Sequence, residues 1–163
     1  MRNINLIALI FFFLCLTKIS LAEKISIIYT IDNDPITNLE IQNEITYLKL
    51  FNEKIREMDN EALVIYASKS VIREKIKKIE VSKYFKLGMN EEIVIQQLNQ
   101  FINKLGLSNE NEYFDLLKEL KLTNDFIKNK IETELLWNNL IYKKYNSKLN
   151  INKEKIEKEL KVR

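Results

Sequence analysis

Proline is almost absent from this chain, and its single occurrence, Pro35, lies near the N-terminus. From Thr37 to the last residue no proline interrupts the sequence, and the only glycines are Gly88 and Gly106. Apolar residues in that stretch recur at intervals of three and four, the period of an amphipathic helix. Because proline breaks helices and glycine commonly follows their last turn, the pattern predicts an all-α body divided near the two glycines.

Ahead of the helical body, the sequence favours a short strand. Residues 25–31 are rich in β-branched isoleucine, and the turn-forming cluster DNDP follows at residues 32–35. Thr37 and Glu40 then have the spacing of a capping box, in which each side chain accepts a hydrogen bond from a backbone amide at the start of a helix. We therefore predict an all-α, multi-helix domain with a short N-terminal β-strand and turn.

The apolar spacing divides the body into several helices, each of ordinary length. Their expected ranges are about 38–58, 61–86, 90–105, 109–121 and 124–145. In the second helix, the spacing predicts a buried face formed by Ile65, Ile72, Ile76 and Ile79. The last helix carries two apolar stripes, so we expect it to pack on two sides and to form the centre of the domain.

Residues 1–22 have the organisation of an export signal. Arg2 supplies a positive start, residues 6–16 are an unbroken apolar run, and Ala22 ends a Ser-Leu-Ala cleavage site. Cleavage there would leave residues 23–146 as the helical domain and residues 147–163 as a charged helical tail, and it predicts a periplasmic location. The alternative is a retained membrane anchor, but Lys18 shortens the apolar run below the roughly 20 residues that a membrane span needs.

The composition excludes several kinds of chemistry. Histidine is absent and Cys15 is the only cysteine, so nucleophile systems that need histidine, zinc sites of Cys and His ligands, and dithiol redox sites are excluded. Two isolated glycines do not make a phosphate-binding loop. The 26 lysine and arginine residues nearly balance the 23 aspartate and glutamate residues, which argues against nucleic acid as a partner. We therefore predict no cofactor, no metal ion and no catalytic residue.

Aromatic residues make up 10% of the sequence, and several are immediate neighbours. Adjacent residues on a helix do not share a face, so at least one of each pair should lie outside the core stripe. Packing between helices is the commoner role of an aromatic residue, but exposed aromatics along an open helical array form a groove for apolar chains. The candidate client-binding residues chosen on this basis are Tyr47, Tyr66, Tyr84, Phe85, Phe114 and Trp137.

The order of these features resembles the N-terminal chaperone domain of the SurA family, which comprises periplasmic chaperones and parvulin-type prolyl isomerases. The similarity runs through IDNDPIT at residues 31–37, LGMNEE at residues 87–92, LGLS at residues 105–108 and LT at residues 122–123. These segments resemble the family's strand and turn, its Leu-Gly step into an acidic helix, its Gly-Leu-Ser link and the start of its long last helix. The resemblance covers about residues 25–160.

The resemblance implies a periplasmic chaperone-like module that binds unfolded polypeptides, outer-membrane proteins above all, and assists their folding and outer-membrane assembly. Family members commonly carry a glycine-rich, histidine-bearing parvulin domain, and nothing in this sequence resembles one. Peptidyl-prolyl isomerase activity is therefore the less favoured alternative. A membrane-anchored protein-interaction module is another, and self-association is a further way to cover exposed apolar helices.

Overall fold

The computed structural model describes residues 24–89 and 91–146. The predicted export signal at residues 1–22 and the predicted charged tail at residues 147–163 lie outside the described residues, as does Asn90, the expected start of the third helix. The described chain consists of two short strands followed by helices alone. The prediction of an all-α domain with a short N-terminal strand is confirmed.

The N-terminal strand belongs to a β-hairpin. Strand β1, Ile27–Ile31, pairs antiparallel with β2, Asp34–Thr37. Residues 32–33 alone make the turn, with Asp32 in the left-handed region at φ 53°. The predicted strand at 25–31 and the predicted turn at 32–35 are both too long. The turn is shorter than predicted because an aspartate that tolerates positive φ lets two residues reverse the chain.

The first helix, α1, spans Asn38–Phe51 and begins at the predicted capping box. The Thr37 hydroxyl oxygen accepts a hydrogen bond from the Glu40 backbone N–H at 3.2 Å. The Glu40 carboxylate in turn accepts one from the Thr37 N–H at 2.8 Å. Both bonds satisfy amides that helix geometry leaves without a partner, and they fix the point where strand changes to helix.

Substitution of Thr37 by alanine is expected to lower the free energy of unfolding by about 1 kcal/mol, because the Glu40 N–H loses its acceptor. Urea unfolding followed by circular dichroism measures the change. Thr46→Ala, within the same helix, is the matched control and should not destabilise the protein, because alanine is the better helix former. Equal stability of Thr37→Ala and the unmodified protein would contradict a role for the box.

The helix predicted at 38–58 is interrupted at Asn52. A single turn, α2, follows at Glu53–Arg56. Asn52 is extended, with φ −140°, and its side chain accepts a hydrogen bond from the Lys54 N–H at 3.0 Å. An asparagine side chain that caps the following turn competes with the helical backbone, which explains why α1 stops there.

The other helices follow the predicted order; three have shifted ends, and the last has the predicted bounds. They are α3 at Asn60–Ser82 instead of 61–86, α4 at Glu91–Lys104 instead of 90–105, α5 at Glu110–Glu119 instead of 109–121, and α6 at Asn124–Tyr145. Asn109 and Thr123 cap α5 and α6, each accepting a hydrogen bond from the backbone N–H three residues further on. Gly106 follows α4 at φ 74°, a conformation that favours glycine at the end of a helix.

The long helix α6 packs against both α3 and α4, as its two apolar stripes predict. The buried apolar side chains of the described residues form three clusters, two of which include residues of α6. One lies between the hairpin, α1, α2 and α3; a second joins α4, α5 and the start of α6; a third joins the end of α3 to the second half of α6. Side chains of α6 line two clefts.

The buried face of α3 differs from the prediction. Leu63, Ala67 and Val71 are buried, whereas Ile65 and Ile76 are 49% and 50% exposed. Apolar residues occupy more than one face of α3, so the helical period alone does not distinguish the face that meets α1. Two isoleucines expected in the core therefore lie at the surface.

Candidate binding clefts

Four helices enclose an open cleft of about 540 Å³, which we term the charged cleft. Each helix contributes side chains three or four residues apart, so a single face of each helix borders the cleft. The lining includes Glu44 and Tyr47 from α1, Ser70, Arg73, Glu74 and Lys77 from α3, Gln97, Phe101 and Lys104 from α4, and Lys130, Ile131, Glu134 and Leu135 from α6.

A buried ion network forms part of the wall of the charged cleft. The Lys130 ammonium lies 2.6 Å from Glu44 Oε2 and also contacts the Glu74 carboxylate. The other Glu44 oxygen accepts a hydrogen bond from the Ser70 hydroxyl at 2.7 Å. Glu44 is only 1% exposed, so these partners replace the water that would otherwise solvate its charge. The network connects α1, α3 and α6.

Two aromatic rings lie against Lys130. Its ammonium nitrogen is 4.8 Å from the ring centre of Tyr47 and 5.3 Å from that of Phe126. Burial by itself would lower the pKa of Lys130, but the carboxylates of Glu74 and Glu44 outweigh it and raise the pKa above its ordinary value. Lys130 therefore stays protonated at neutral pH and does not act as a general base there.

The carboxylates of the charged cleft already have partners. Glu44 and Glu74 contact Lys130, and Glu134 contacts Lys77. Within residues 24–89 and 91–146, no group of three or more acidic, histidine or cysteine side chains is placed to hold a metal ion. Paired carboxylates of this kind hold helices together, and we interpret the network as a structural element.

A second cleft, which we term the Trp137 cleft, opens between the turn of the hairpin and the C-terminal halves of α3 and α6. Its volume is about 370 Å³, and its lining is largely apolar: Ile31, Ile76, Ile79, Trp137, Leu140 and Ile141. Ile76 is 50% and Ile141 36% exposed. An open apolar surface of this kind can take up side chains of another apolar chain.

Charged side chains border the Trp137 cleft. The Glu80 carboxylate lies 2.7 Å from the Lys83 ammonium and 3.3 Å from that of Lys144. Hydrogen bonds from these two lysines hold the pKa of Glu80 below its usual value. Exposed ion pairs contribute little to stability, but they surround the apolar lining with a polar rim, an arrangement typical of protein interfaces.

Three of the six predicted client-binding residues lie at this end of the molecule. Trp137 lines the cleft, and both Trp137 and Phe85 pack half-buried against the cluster of Val81, Leu136 and Leu140. Tyr84 is exposed, with the Lys144 ammonium 4.7 Å from its ring centre. The ends of α3 and α6 thus bring Tyr84, Phe85 and Trp137 into one region.

The other three residues lie elsewhere. Tyr47 borders the charged cleft, half-buried, where its ring stacks on Phe101 at 6.2 Å between ring centres. Tyr66 is exposed on α3, and Phe114 is exposed on α5 beside the buried Tyr113. The six aromatic residues therefore do not form a single groove.

Sequence reasoning missed important members of both clefts. It places Ile76 in the core, and it assigns Ile141 to the same apolar stripe of the last helix as Trp137 without choosing it as a client-binding residue. It also gives no indication of the network of Glu44, Glu74 and Lys130. These three residues are so far apart in the sequence that no spacing pattern indicates their contact.

Comparison of the chain with protein-family models, with curated proteins and with solved structures gave no match. Across the described ranges, no helix combines the length and apolar character that crossing a membrane requires. The geometry of the two clefts is therefore the main guide to function.

Proposed function

We propose that this protein is a periplasmic chaperone-like module that binds unfolded polypeptides, outer-membrane proteins in particular, in the Trp137 cleft. The observation that carries the proposal is the open apolar lining of that cleft, in which Ile76 and Ile141 remain substantially exposed. The signal-like residues 1–22 and the motif resemblance to the SurA family support the compartment and the class of client.

The form of the cleft suits alternating sequences. Strands of outer-membrane β-barrels alternate apolar and polar residues, so an extended segment presents its apolar side chains on one side. Those side chains can enter the apolar lining, while the polar ones stay near Glu80, Lys83 and Lys144. The cleft then recognises a pattern of residues, and one site can serve many clients.

The size of the cleft predicts weak, reversible binding. At roughly 25 cal/mol per Å² of apolar surface buried, a cleft of this size gives only a weak affinity once the entropic cost of association is subtracted. An affinity of this kind allows a client to dissociate without a nucleotide or another source of energy. Repeated short contacts along one unfolded chain would keep that client bound to the protein for longer.

Trp137 provides a direct test, because it is the only tryptophan in the chain and it lines the cleft. A tryptophan-free peptide of about ten residues with alternating apolar and polar side chains serves as the probe. Titration of the protein with this peptide is expected to shift the emission of Trp137 and to reach saturation.

Ile76→Ser is expected to weaken peptide binding about tenfold, because it removes an apolar side chain from the cleft. Ile65→Ser is the matched control: it lies on the same helix and is equally exposed, but it is not among the residues that line the Trp137 cleft. Absence of an emission change, or equal weakening by both variants, would contradict the proposal.

A further inference from the structure

Strand β1 has a free backbone edge beside the Trp137 cleft. Among the described residues the sheet contains β1 and β2 alone, so each strand has a hydrogen-bonded neighbour on one side only. The register is irregular between Ile27 and Tyr29, so uninterrupted pairing on β1 covers Tyr29–Ile31. Ile31 ends this regular part and lines the Trp137 cleft, whereas no lining residue that the structure describes comes from β2. The regular edge of β1 therefore adjoins the cleft.

Thr30 supplies the free backbone groups of this edge. It lies opposite Pro35, which has no N–H and so cannot form a hydrogen-bonded pair with it. Pairs alternate along an antiparallel ladder, and in a pair that is not hydrogen-bonded the N–H and C=O groups point away from the partner strand. The N–H and C=O groups of Thr30 therefore point away from β2. Within residues 24–89 and 91–146, no other backbone or side-chain group bonds to them.

The two edges of the sheet differ. The residue at the corresponding position on the outer edge of β2 is Pro35, which offers no donor, and proline is a common protection of an edge strand. Strand β1 contains neither a proline nor a charged residue, and Thr30 is exposed. A donor and an acceptor side by side on an exposed edge match the backbone of another extended chain.

We propose that an unfolded polypeptide bound in the Trp137 cleft adopts an extended conformation and pairs with β1 through the backbone of Thr30. Its apolar side chains enter the cleft, while its backbone donates one hydrogen bond to the Thr30 C=O and accepts one from the Thr30 N–H. The inference rests on the function proposed for the Trp137 cleft. It adds a requirement on the client, which is an extended segment with a free backbone N–H at the paired position. Backbone hydrogen bonds require no particular side chain, which suits the recognition of many sequences.

Thr30→Pro tests the pairing. It removes the N–H that points outward, and since β2 does not use this N–H, the hairpin is expected to form as before. Binding of the tryptophan-free alternating peptide, followed by the emission of Trp137, is expected to weaken about tenfold. Thr30→Val keeps both the N–H and a β-branched side chain, so it is the matched control and should bind the peptide as tightly as the unmodified protein does.

Hydrogen exchange of the Thr30 amide tests the same contact without a substitution. In the free protein this N–H has no partner within the described fold, so we expect it to exchange rapidly with solvent. At saturating peptide, exchange followed by nuclear magnetic resonance is expected to slow at least about tenfold. If the circular dichroism spectrum shows that Thr30→Pro disturbs the fold, the exchange measurement decides alone.

The outcomes separate this inference from the proposed function. Saturable peptide binding that is equally tight in Thr30→Pro and Thr30→Val, or that leaves exchange at Thr30 unchanged, would overturn the pairing and leave the binding role of the cleft intact. Absence of peptide binding to the unmodified protein would contradict the proposed function, and the pairing with it. Protection of the Thr30 amide that rises with protein concentration without peptide would show that a second copy occupies the edge, which would also overturn the inference.

Discussion

Replacement of Lys130 by methionine is expected to lower the free energy of unfolding by about 3–5 kcal/mol. The substitution keeps most of the length of the side chain but removes the charge that lies between Glu44 and Glu74. Glu44 is almost fully buried, so its carboxylate would lose its counter-charge without gaining water. Urea unfolding of the two proteins, followed by circular dichroism, measures the loss.

Lys77→Met is the matched control for this experiment. Lys77 borders the same cleft and pairs with Glu134, but Glu134 is half exposed and keeps its hydration when the partner is removed. We expect Lys77→Met to cost at most about 1 kcal/mol. The double variant Lys130→Met with Glu44→Gln should be more stable than Lys130→Met alone, because the unpaired buried charge is gone. Equal effects of Lys130→Met and Lys77→Met would show that the network is not a main support of the fold.

Tyr113 is expected to make the protein sensitive to alkali. Its ring is fully buried and its hydroxyl donates a hydrogen bond to the Asn124 side-chain oxygen at 3.0 Å. Burial, with a smaller contribution from Glu110, raises the pKa of Tyr113 from 10.0 to about 12. The folded state therefore holds this proton more tightly than the unfolded state does. The resulting stability is fully present below pH 10 and is lost between pH 10 and about 12.

The size of this alkaline loss is about 3 kcal/mol, since each unit of pKa difference corresponds to about 1.4 kcal/mol. Tyr113→Phe removes the ionisable group, so its stability should fall less steeply over that pH range, although it loses about 1 kcal/mol at neutral pH with the hydrogen bond to Asn124. Tyr66→Phe, at an exposed position, should keep the steep profile of the unmodified protein. Identical alkaline profiles for Tyr113→Phe and Tyr66→Phe would contradict the prediction.

The parts of the fold that follow from local chemistry could be predicted from the sequence. The capping box at Thr37 depends on residues three positions apart, and the structure has it. The absence of proline after Pro35 and the helical period of the apolar residues are sufficient to indicate an all-α body. These signals lie within one or two helical turns, so they do not depend on the tertiary structure.

Features that depend on competition between local alternatives were less predictable. Asn52 interrupts α1 because its side chain caps the next turn, although the apolar spacing continues past it. Ile65 and Ile76 fit the helical period as well as Leu63 and Val71 do, but α3 meets α1 with the latter. The choice between such faces is made by packing against a distant helix, which a single sequence does not reveal.

The residues of the two clefts were likewise only partly predictable from the sequence. Trp137 is recognisable as a candidate because adjacent residues on a helix point in different directions. The same argument selects Tyr84 and Phe85 only on the prediction of a helix to residue 86, whereas α3 ends at Ser82 and both residues lie in the turn that follows it. The ion network is not recognisable, because Glu44, Glu74 and Lys130 belong to three different helices and meet only in the folded chain. Their burial could not be anticipated either, since lysine and glutamate are usually exposed.

The network and the Trp137 cleft are connected through α6. Lys130 fixes the first half of α6 to α1 and α3, and the second half of the same helix supplies Trp137, Leu140 and Ile141 to the cleft. The cluster of Val81, Leu136 and Leu140 also fixes that second half to the end of α3, so the position of the cleft depends on both contacts.

Light scattering offers the most direct test of the proposed holding function. An outer-membrane β-barrel protein is unfolded in denaturant and diluted into buffer with and without the purified protein, and its aggregation is followed over time. We predict suppression of aggregation near stoichiometric ratios, with most of the effect lost in Ile76→Ser and retained in Ile65→Ser. Unchanged aggregation in the presence of the folded, unmodified protein would contradict a holding function for the Trp137 cleft.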